Sequence, residues 1–322
     1  MPVEQLSLFQ DEFVLLNDAA AALKELQPDE ALESLRRYGD LYRGSEDVEK
    51  KRQIAAFLKE GLSALPPPGP DLAPQLFQLW LSFAAFCASL GAGGAIANEL
   101  RRPFFQKVVT AIEAAHLTDG TFLAEGIPAG YAHLQTGEYD RAIHSLQACL
   151  ITAPNNARIY GYLGDAYLLR GDLSVARQVY FEACRIDPAA IDWHHLRDNE
   201  LKRLLEELSD EHGGARALAC AWLPALAYVR GFFRPKQIRL LEEFRVITGS
   251  YLELEKTFAR TPSPVLAAQL FLQGIILCDN EPFLRMVKGI DFAEVRREMK
   301  AADPTLFAAY LKQIDRRKLK GL

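Results

Sequence analysis

The sequence predicts an all-α protein, an α-solenoid of stacked antiparallel helix pairs, on three observations. Two stretches in the middle of the chain align on one another without a gap. Glycines and prolines punctuate the rest at helix-length intervals. No segment of useful length alternates apolar and polar residues as a half-buried strand would.

The aligned stretches are EGIPAGYAHLQTGEYDRAIHSLQACLITAP and IYGYLGDAYLLRGDLSVARQVYFEACRIDP. Gly130 pairs with Gly164, Ala132 with Ala166, Leu134 with Leu168, Gly137 with Gly171, Ala142 with Ala176 and Pro154 with Pro188, each 34 residues apart (164 − 130 = 34). The spacing gives each position a task. Gly130 and Gly164, inside a first helix, present no side chain and let a second helix approach. Gly137 and Gly171 end that helix through a positive φ. Ala142 and Ala176 are small where the helices cross, and Leu146 and Tyr180 fill the gap four residues on. Pro154 and Pro188 stop the second helix.

On these residues the stretch 123–188, about a fifth of the chain, resembles the tetratricopeptide repeat in its period and its G…G-[ED]-[YL]…A…P spacing. The departures are Gly126 where the family favours a large aromatic, His133 for a tyrosine and Cys149 for a small alanine. The resemblance implies repeats at 123–156 and 157–190, a right-handed superhelix, and a concave face lined by the first helix of each pair that binds a protein or peptide ligand. Carried over by spacing, that face comprises Ile127, Tyr131, Leu134 and Gln135 in one unit and Arg158, Tyr162, Asp165, Leu168 and Leu169 in the next. Chaperone-binding members of the family hold a terminal carboxylate with lysines and asparagines there. Arg158 is the only cation among these positions, so an amphipathic helix or a segment with apolar anchors fits better. The alternative is that the protein's own helices fill the groove.

The flanks read as helical. Residues 1–65 form an N-terminal segment, in which Ala31, Leu35 and Tyr38 keep the spacing of a degenerate unit. PPPGP at 66–70 is a stiff break before the repeat region 71–190. The extension 191–322 reads as helices at 191–207, 214–231, 235–248, 250–260, 264–279 and 291–317, the last interrupted at Pro304.

Composition bounds the function. Over 322 residues, 49% apolar and 25% charged residues are ordinary globular values, and a net charge of −5 gives no global field for nucleic acid or anionic lipid. Direct nucleic-acid binding is therefore not expected. The basic tail Lys312, Arg316, Arg317, Lys318 and Lys320 reads as a solvated helix end. An acidic N-terminus without an early Lys/Arg before an apolar run is not a secretory signal. Five scattered cysteines with no C-x-x-C pair suit a reducing compartment, so a cytoplasmic protein is expected. Leu76 to Asn98 carries no charge and is long enough to span a bilayer. Its polar residues and the GAGG at 91–94 instead read as buried helix followed by a loop, with no membrane partner.

No catalytic constellation is visible. Phosphate-binding glycine loops, a G-x-S-x-G elbow and H-E-x-x-H are absent. His194 and His195, adjacent on a helix, would point about 100° apart and not converge on one metal ion. Cys149 and Cys184 fall at packed positions. Neither cofactor nor metal is expected.

The remaining motif is QLSLF, residues Gln5, Leu6, Ser7, Leu8 and Phe9. One reading makes Ser7 and Gln10 a capping box that opens a helix with the stripe Leu6, Phe9, Phe13, Leu16. The other rests on resemblance to the short motif by which bacterial replication and repair proteins dock on the sliding clamp, with Leu8 and Phe9 in an apolar pocket and Gln5 setting register. The leading expectation is a non-enzymatic, protein-binding scaffold. The alternatives are a bacterial accessory factor of DNA replication or repair tethered to the clamp, and an enzyme with an unrecognised site in 191–322.

Overall fold

The computed structural model describes residues 3–42, 45–91, 93–233, 238, 240–281 and 289–319, and their side chains except those of 3–11, 93 and 316–319. The fold is all-α: among the described residues, fifteen helices and one two-stranded ribbon follow one another, sequential helices packing as pairs. The chain divides into two compact units, residues 1–152 and 153–322, with the boundary between the two repeats.

The first unit begins with α1 (Val3–Lys24) and α2 (Pro28–Leu41). Leu15, Ala19, Leu35, Tyr38 and Val48 form their shared core, and the Tyr38 hydroxyl donates to Glu12 Oε1 at 2.9 Å. Ala31, Leu35 and Tyr38 thus point inward at the expected spacing. One expectation for the first helix fails and a second holds in part. Ser7 lies inside α1 rather than capping it, because nothing in Val3–Leu6 interrupts a helix. Of the expected apolar stripe, Leu16 packs half-buried on the core while Phe13 is 64% exposed, the side chains of Leu6 and Phe9 lie outside the described residues, and Leu15, Ala19 and Ala22 form the buried face. Small alanines let α2 approach closely, and that selects the face.

Helix α3 (Glu46–Ser63) is capped by Ser45, whose Oγ accepts from the Val48 N–H. The prolines at 66–68 then separate it from α4 (Leu72–Ser89). The uncharged stretch breaks where its glycines lie, at Gly91 with φ +72°, before α5 (Gly93–Ala114). Helix α4 is long and apolar enough to cross a membrane. One side of it is buried, and its Trp80 packs on Phe104 and Phe105 of α5 at ring separations of 5.3 Å.

The sequence expectation of a full first helix in the first repeat is corrected here. Residues Phe122–Ala124 (β1) and Ile127–Pro128 (β2) pair as an antiparallel ribbon turned by Gly126 at φ +70°. The helix proper is the short α6 (Gly130–Thr136). Pro128 explains it: inside a helix it would remove a hydrogen bond and crowd the preceding turn, which costs about 3 kcal/mol. Helix α7 (Tyr139–Thr152) follows, with Ala142 and Leu146 fully buried.

The second unit opens with the complete pair α8 (Ala157–Arg170) and α9 (Leu173–Ile186). Both repeat turns have the expected left-handed glycine, Gly137 at φ +87° and Gly171 at φ +102°. Both close approaches are real. A Cβ on Gly130 would lie 2.8 Å from Leu146 Cγ, and one on Gly164 would lie 2.4 Å from the Tyr180 ring.

Beyond Pro188 the expected helix from 191 is absent. The chain runs in turns until Asp198, which caps α10 (Asn199–Glu211) by accepting from the Leu201 N–H at 3.0 Å. Helix α11 (Arg216–Val229) follows. The two helices expected at 235–248 and 250–260 are one, α12 (Leu241–Arg260), because a lone Gly249 costs only about 1 kcal/mol and does not end a helix. Helix α13 (Pro264–Asp279) is capped by Ser263. Helices α14 (Phe292–Ala302) and α15 (Pro304–Leu319) meet at the Pro304 break. One continuous core, from Ala157 to Tyr310, joins the second repeat to these helices.

Candidate functional site

The candidate face is built separately in each unit. In the first, Ile127 is half-buried on β2, while Tyr131, Leu134 and Gln135 on α6 are buried. Tyr131 sits edge-on to Phe77 of α4 at 6.1 Å and to Phe105 of α5 at 5.6 Å, contacts that add about 0.5–1.5 kcal/mol beyond burial. His133, next along the helix, meets Glu138 Oε2 through Nδ1 at 3.0 Å. Burial holds its imidazole below the usual histidine range despite that carboxylate, with Arg141 adding to the depression.

In the second unit α8 presents Arg158, Tyr162, Asp165, Leu168 and Leu169 in that order along one side. Arg158 and Leu168 are half-buried and Leu169 is 40% exposed. Tyr162 and Asp165 are fully engaged with residues 191–197. The Tyr162 hydroxyl donates to Asp192 Oδ2 at 2.8 Å, and Asp165 Oδ1 accepts from the Arg197 N–H at 2.8 Å and from the Tyr180 hydroxyl at 2.5 Å. One residue before Tyr162, Gly161 lies against Ile191, whose Cγ2 would stand 3.4 Å from an added Cβ.

Asp165 is 1% exposed, and burial pushes its carboxyl up to about 7 in spite of the two donors and nearby Arg197. The same burial, with Asp165 adjacent, raises the Tyr180 hydroxyl well above the phenol range. A carboxyl buried this deeply costs several kcal/mol unless protonated or well hydrogen-bonded. Its partners show what that cost serves: it ties α8 to α9 and to the segment after Pro188.

The other singled-out residues separate. His194 is exposed and His195 half-buried. No three His, Cys, Asp or Glu among the described residues are gathered as a metal site. All five cysteines are free and buried; burial pushes the Cys149 thiol up to about 11 and the Cys184 thiol further. The backbone of Gln5–Phe9 belongs to α1, but these side chains, and those of Arg316, Arg317, Lys318 and Lys320, lie outside the described residues.

Residues 127–191 match the tetratricopeptide repeat family. The match spans nearly all of the two 34-residue repeats, about a fifth of the chain. No curated protein and no solved structure matches the chain. Tetratricopeptide repeats generally mediate contact with protein partners and are typically non-enzymatic scaffolds. What the spacing of the repeat could not supply is the segment lying on α8. Ile191, Asp192 and Arg197 read as helical by composition. The one local sign against a helix was Asp198 followed by Asn-Glu-Leu, an N-cap that places a helix start at 199.

Proposed function

We propose that the chain is a non-enzymatic scaffold for protein–protein contact that takes a partner peptide or helix on the α8 side of its second repeat. The observation that carries this reading is the helix turn of that repeat. Leu169, Leu173 and Val175 are exposed together at the tip of the α8–α9 hairpin, beside the half-buried Leu168. Exposed leucines around a turn of an interaction repeat offer apolar anchoring of the kind that dominates peptide recognition. The five buried, unbridged cysteines support a reducing, cytoplasmic setting.

The test is a selection of displayed peptides on the full chain, repeated with Leu169→Glu/Leu173→Glu. Enrichment of peptides with apolar anchors that the double variant no longer binds is the expected result. Selection of nothing by the unaltered chain would overturn the reading.

A second reading attaches to Gln5–Phe9 as a sliding-clamp docking motif. It is favoured by the exposure of Phe13 and Val14, which leaves the adjoining turn of α1 uncovered on that side. Binding to a purified bacterial clamp that disappears in Leu8→Ala/Phe9→Ala supports it, and equal behaviour of the two proteins removes it.

A further inference from the structure

The segment after Pro188 holds the side of α8 on which the repeats' ligand-facing positions lie. We propose that residues 189–198 are a resident pseudo-ligand, a strap that occupies the second repeat and is lifted when a partner binds. That partner is an extended peptide presenting an aliphatic residue followed by a carboxylate, as Ile191-Asp192 does. The proposal deepens the scaffold reading and rests on it.

Four features of the strap support this. It is not a helix where the repeat period calls for one, and it meets α8 through the Ile191 and Asp192 side chains and the Arg197 N–H. Its contacts with α8 follow the logic of peptide capture. Gly161 leaves room for the Ile191 side chain, the Tyr162 hydroxyl donates to the Asp192 carboxylate, and Asp165 accepts a main-chain N–H, that of Arg197. A main-chain contact accepts many sequences, whereas the Ile191 and Asp192 contacts set a preference.

Third, the strap is buried near its two ends and more exposed between them. Ile191 and Leu196 are buried, but Asp192 and Trp193 are only half-buried and His194 is exposed. The Trp193 indole N–H donates back to the Pro188 carbonyl at 2.8 Å, which braces the strap internally rather than to α8. Fourth, an open hollow lined by Pro154, Asn155, Asn156, Asp187 and Ala190 adjoins its start and leaves space for that end to move. The charged and titratable groups facing Asp165 are Tyr180 from α9 and Arg197 and Asp198 from the strap. Lifting the strap therefore withdraws a main-chain donor and a cation from a buried carboxyl. A replacement peptide must restore at least the donor.

Fluorescence anisotropy with a labelled peptide of residues 189–198 tests the proposal on the full chain. Asp192→Ala weakens the resident strap, so this variant is expected to bind the peptide about tenfold more tightly than the unaltered chain, whose site is competent only in its minor, open state. Adding Tyr162→Phe, or changing the peptide's aspartate to asparagine, should remove most of that gain. Equal or absent binding by the unaltered and Asp192→Ala chains overturns the proposal.

Should Asp192→Ala fail to fold, hydrogen exchange on the unaltered chain decides. Strap amides, that of Arg197 among them, should exchange through a local opening faster than those of Leu163 and Gly164. Exchange of both sets at one common rate overturns the strap. The two readings also separate. Display-selected partners that bind Asp192→Ala no better than the unaltered chain would remove the strap and keep the scaffold. Selection of no partner by the unaltered chain would remove the scaffold and, with it, the strap's role.

Discussion

The two repeats share a period and a turn, yet they solve the same packing problem with different chemistry. In the first, Gly130 opens a short helix against α7, and the side chain it meets, Leu146, is apolar. In the second, Gly164 admits the Tyr180 ring, whose hydroxyl continues to Asp165 and through it to Arg197. The glycine is the same and its consequence differs. An apolar knob needs only space, whereas a tyrosine brings a polar end that must find a partner inside the protein. That requirement placed a buried carboxyl in the second repeat, and the carboxyl organises the segment beyond it.

The sharpest way to break the comparison is to add one methyl group to each glycine. Gly164→Ala would put a Cβ 2.4–2.9 Å from three atoms of a ring tethered at its hydroxyl. We expect a loss of about 3 kcal/mol, partly offset by the better helix propensity of alanine. Gly130→Ala meets Leu146 Cγ at 2.8 Å and main-chain atoms at 3.1 Å; the leucine can rotate, so about 1–2 kcal/mol is expected. The repeats lie in different compact units, so amide exchange resolved within each unit is the proper measurement. Equal losses would mean that the tether on Tyr180 does not stiffen its contact.

Next in size is the pH dependence, where the repeats pull in opposite directions. Asp165 has a folded pKa of about 7, above its unfolded value, so its contribution is fully present below about pH 4 and is lost as pH rises through 7. His133 in the first repeat is depressed by burial, so its contribution is present above the unfolded histidine value and is lost as pH falls. Asp165→Asn keeps an oxygen for both donors. Relative to that variant, the unaltered chain should gain about 2 kcal/mol in the second unit between pH 7 and pH 5. His133→Gln should change the slope of the first unit in the other sense. A pH-independent difference between Asp165→Asn and the unaltered chain would show that the carboxyl stays charged, held by its donors.

Tyr180→Phe comes third, at about 1–2 kcal/mol, because it removes one donor from Asp165 while keeping the ring in place. Loss of less than about 0.5 kcal/mol would mean that the Arg197 N–H alone satisfies the carboxyl.

How much of this was legible follows from where the information lies. The period exposed Gly130, Gly164, Ala142 and Ala176 because their roles are local to a helix pair, and 34-residue self-similarity reads such roles directly. The ribbon at 122–128 was partly legible: Gly126 and Pro128 are poor helix residues, but the alignment with the second repeat outweighed them. Gly249 erred the other way, read as a stop although one glycine in a helix is affordable. The candidate face was legible as positions and not as surface. Spacing placed Tyr162 and Asp165 on one side of α8, yet only the folded chain shows Asp192 and the Arg197 N–H lying on them, because that contact depends on a turn whose residues look helical.

The smallest predicted difference between the repeats tests what they have in common. Gly137 and Gly171 both sit at positive φ, with no atom closer than 3.8 Å to an added Cβ at the first and none within 4 Å at the second. Alanine at either site would therefore meet no clash, only the cost of a left-handed backbone, about 1–2 kcal/mol. Gly137→Ala and Gly171→Ala should destabilise their own units by the same amount within about 0.5 kcal/mol. A markedly larger cost at Gly171 would show that the second turn carries more than geometry, for example by setting the exposure of Leu169 and Leu173. Equal costs would confine the divergence of the repeats to the helix interiors, where Leu146 faces Gly130 and Tyr180 faces Gly164.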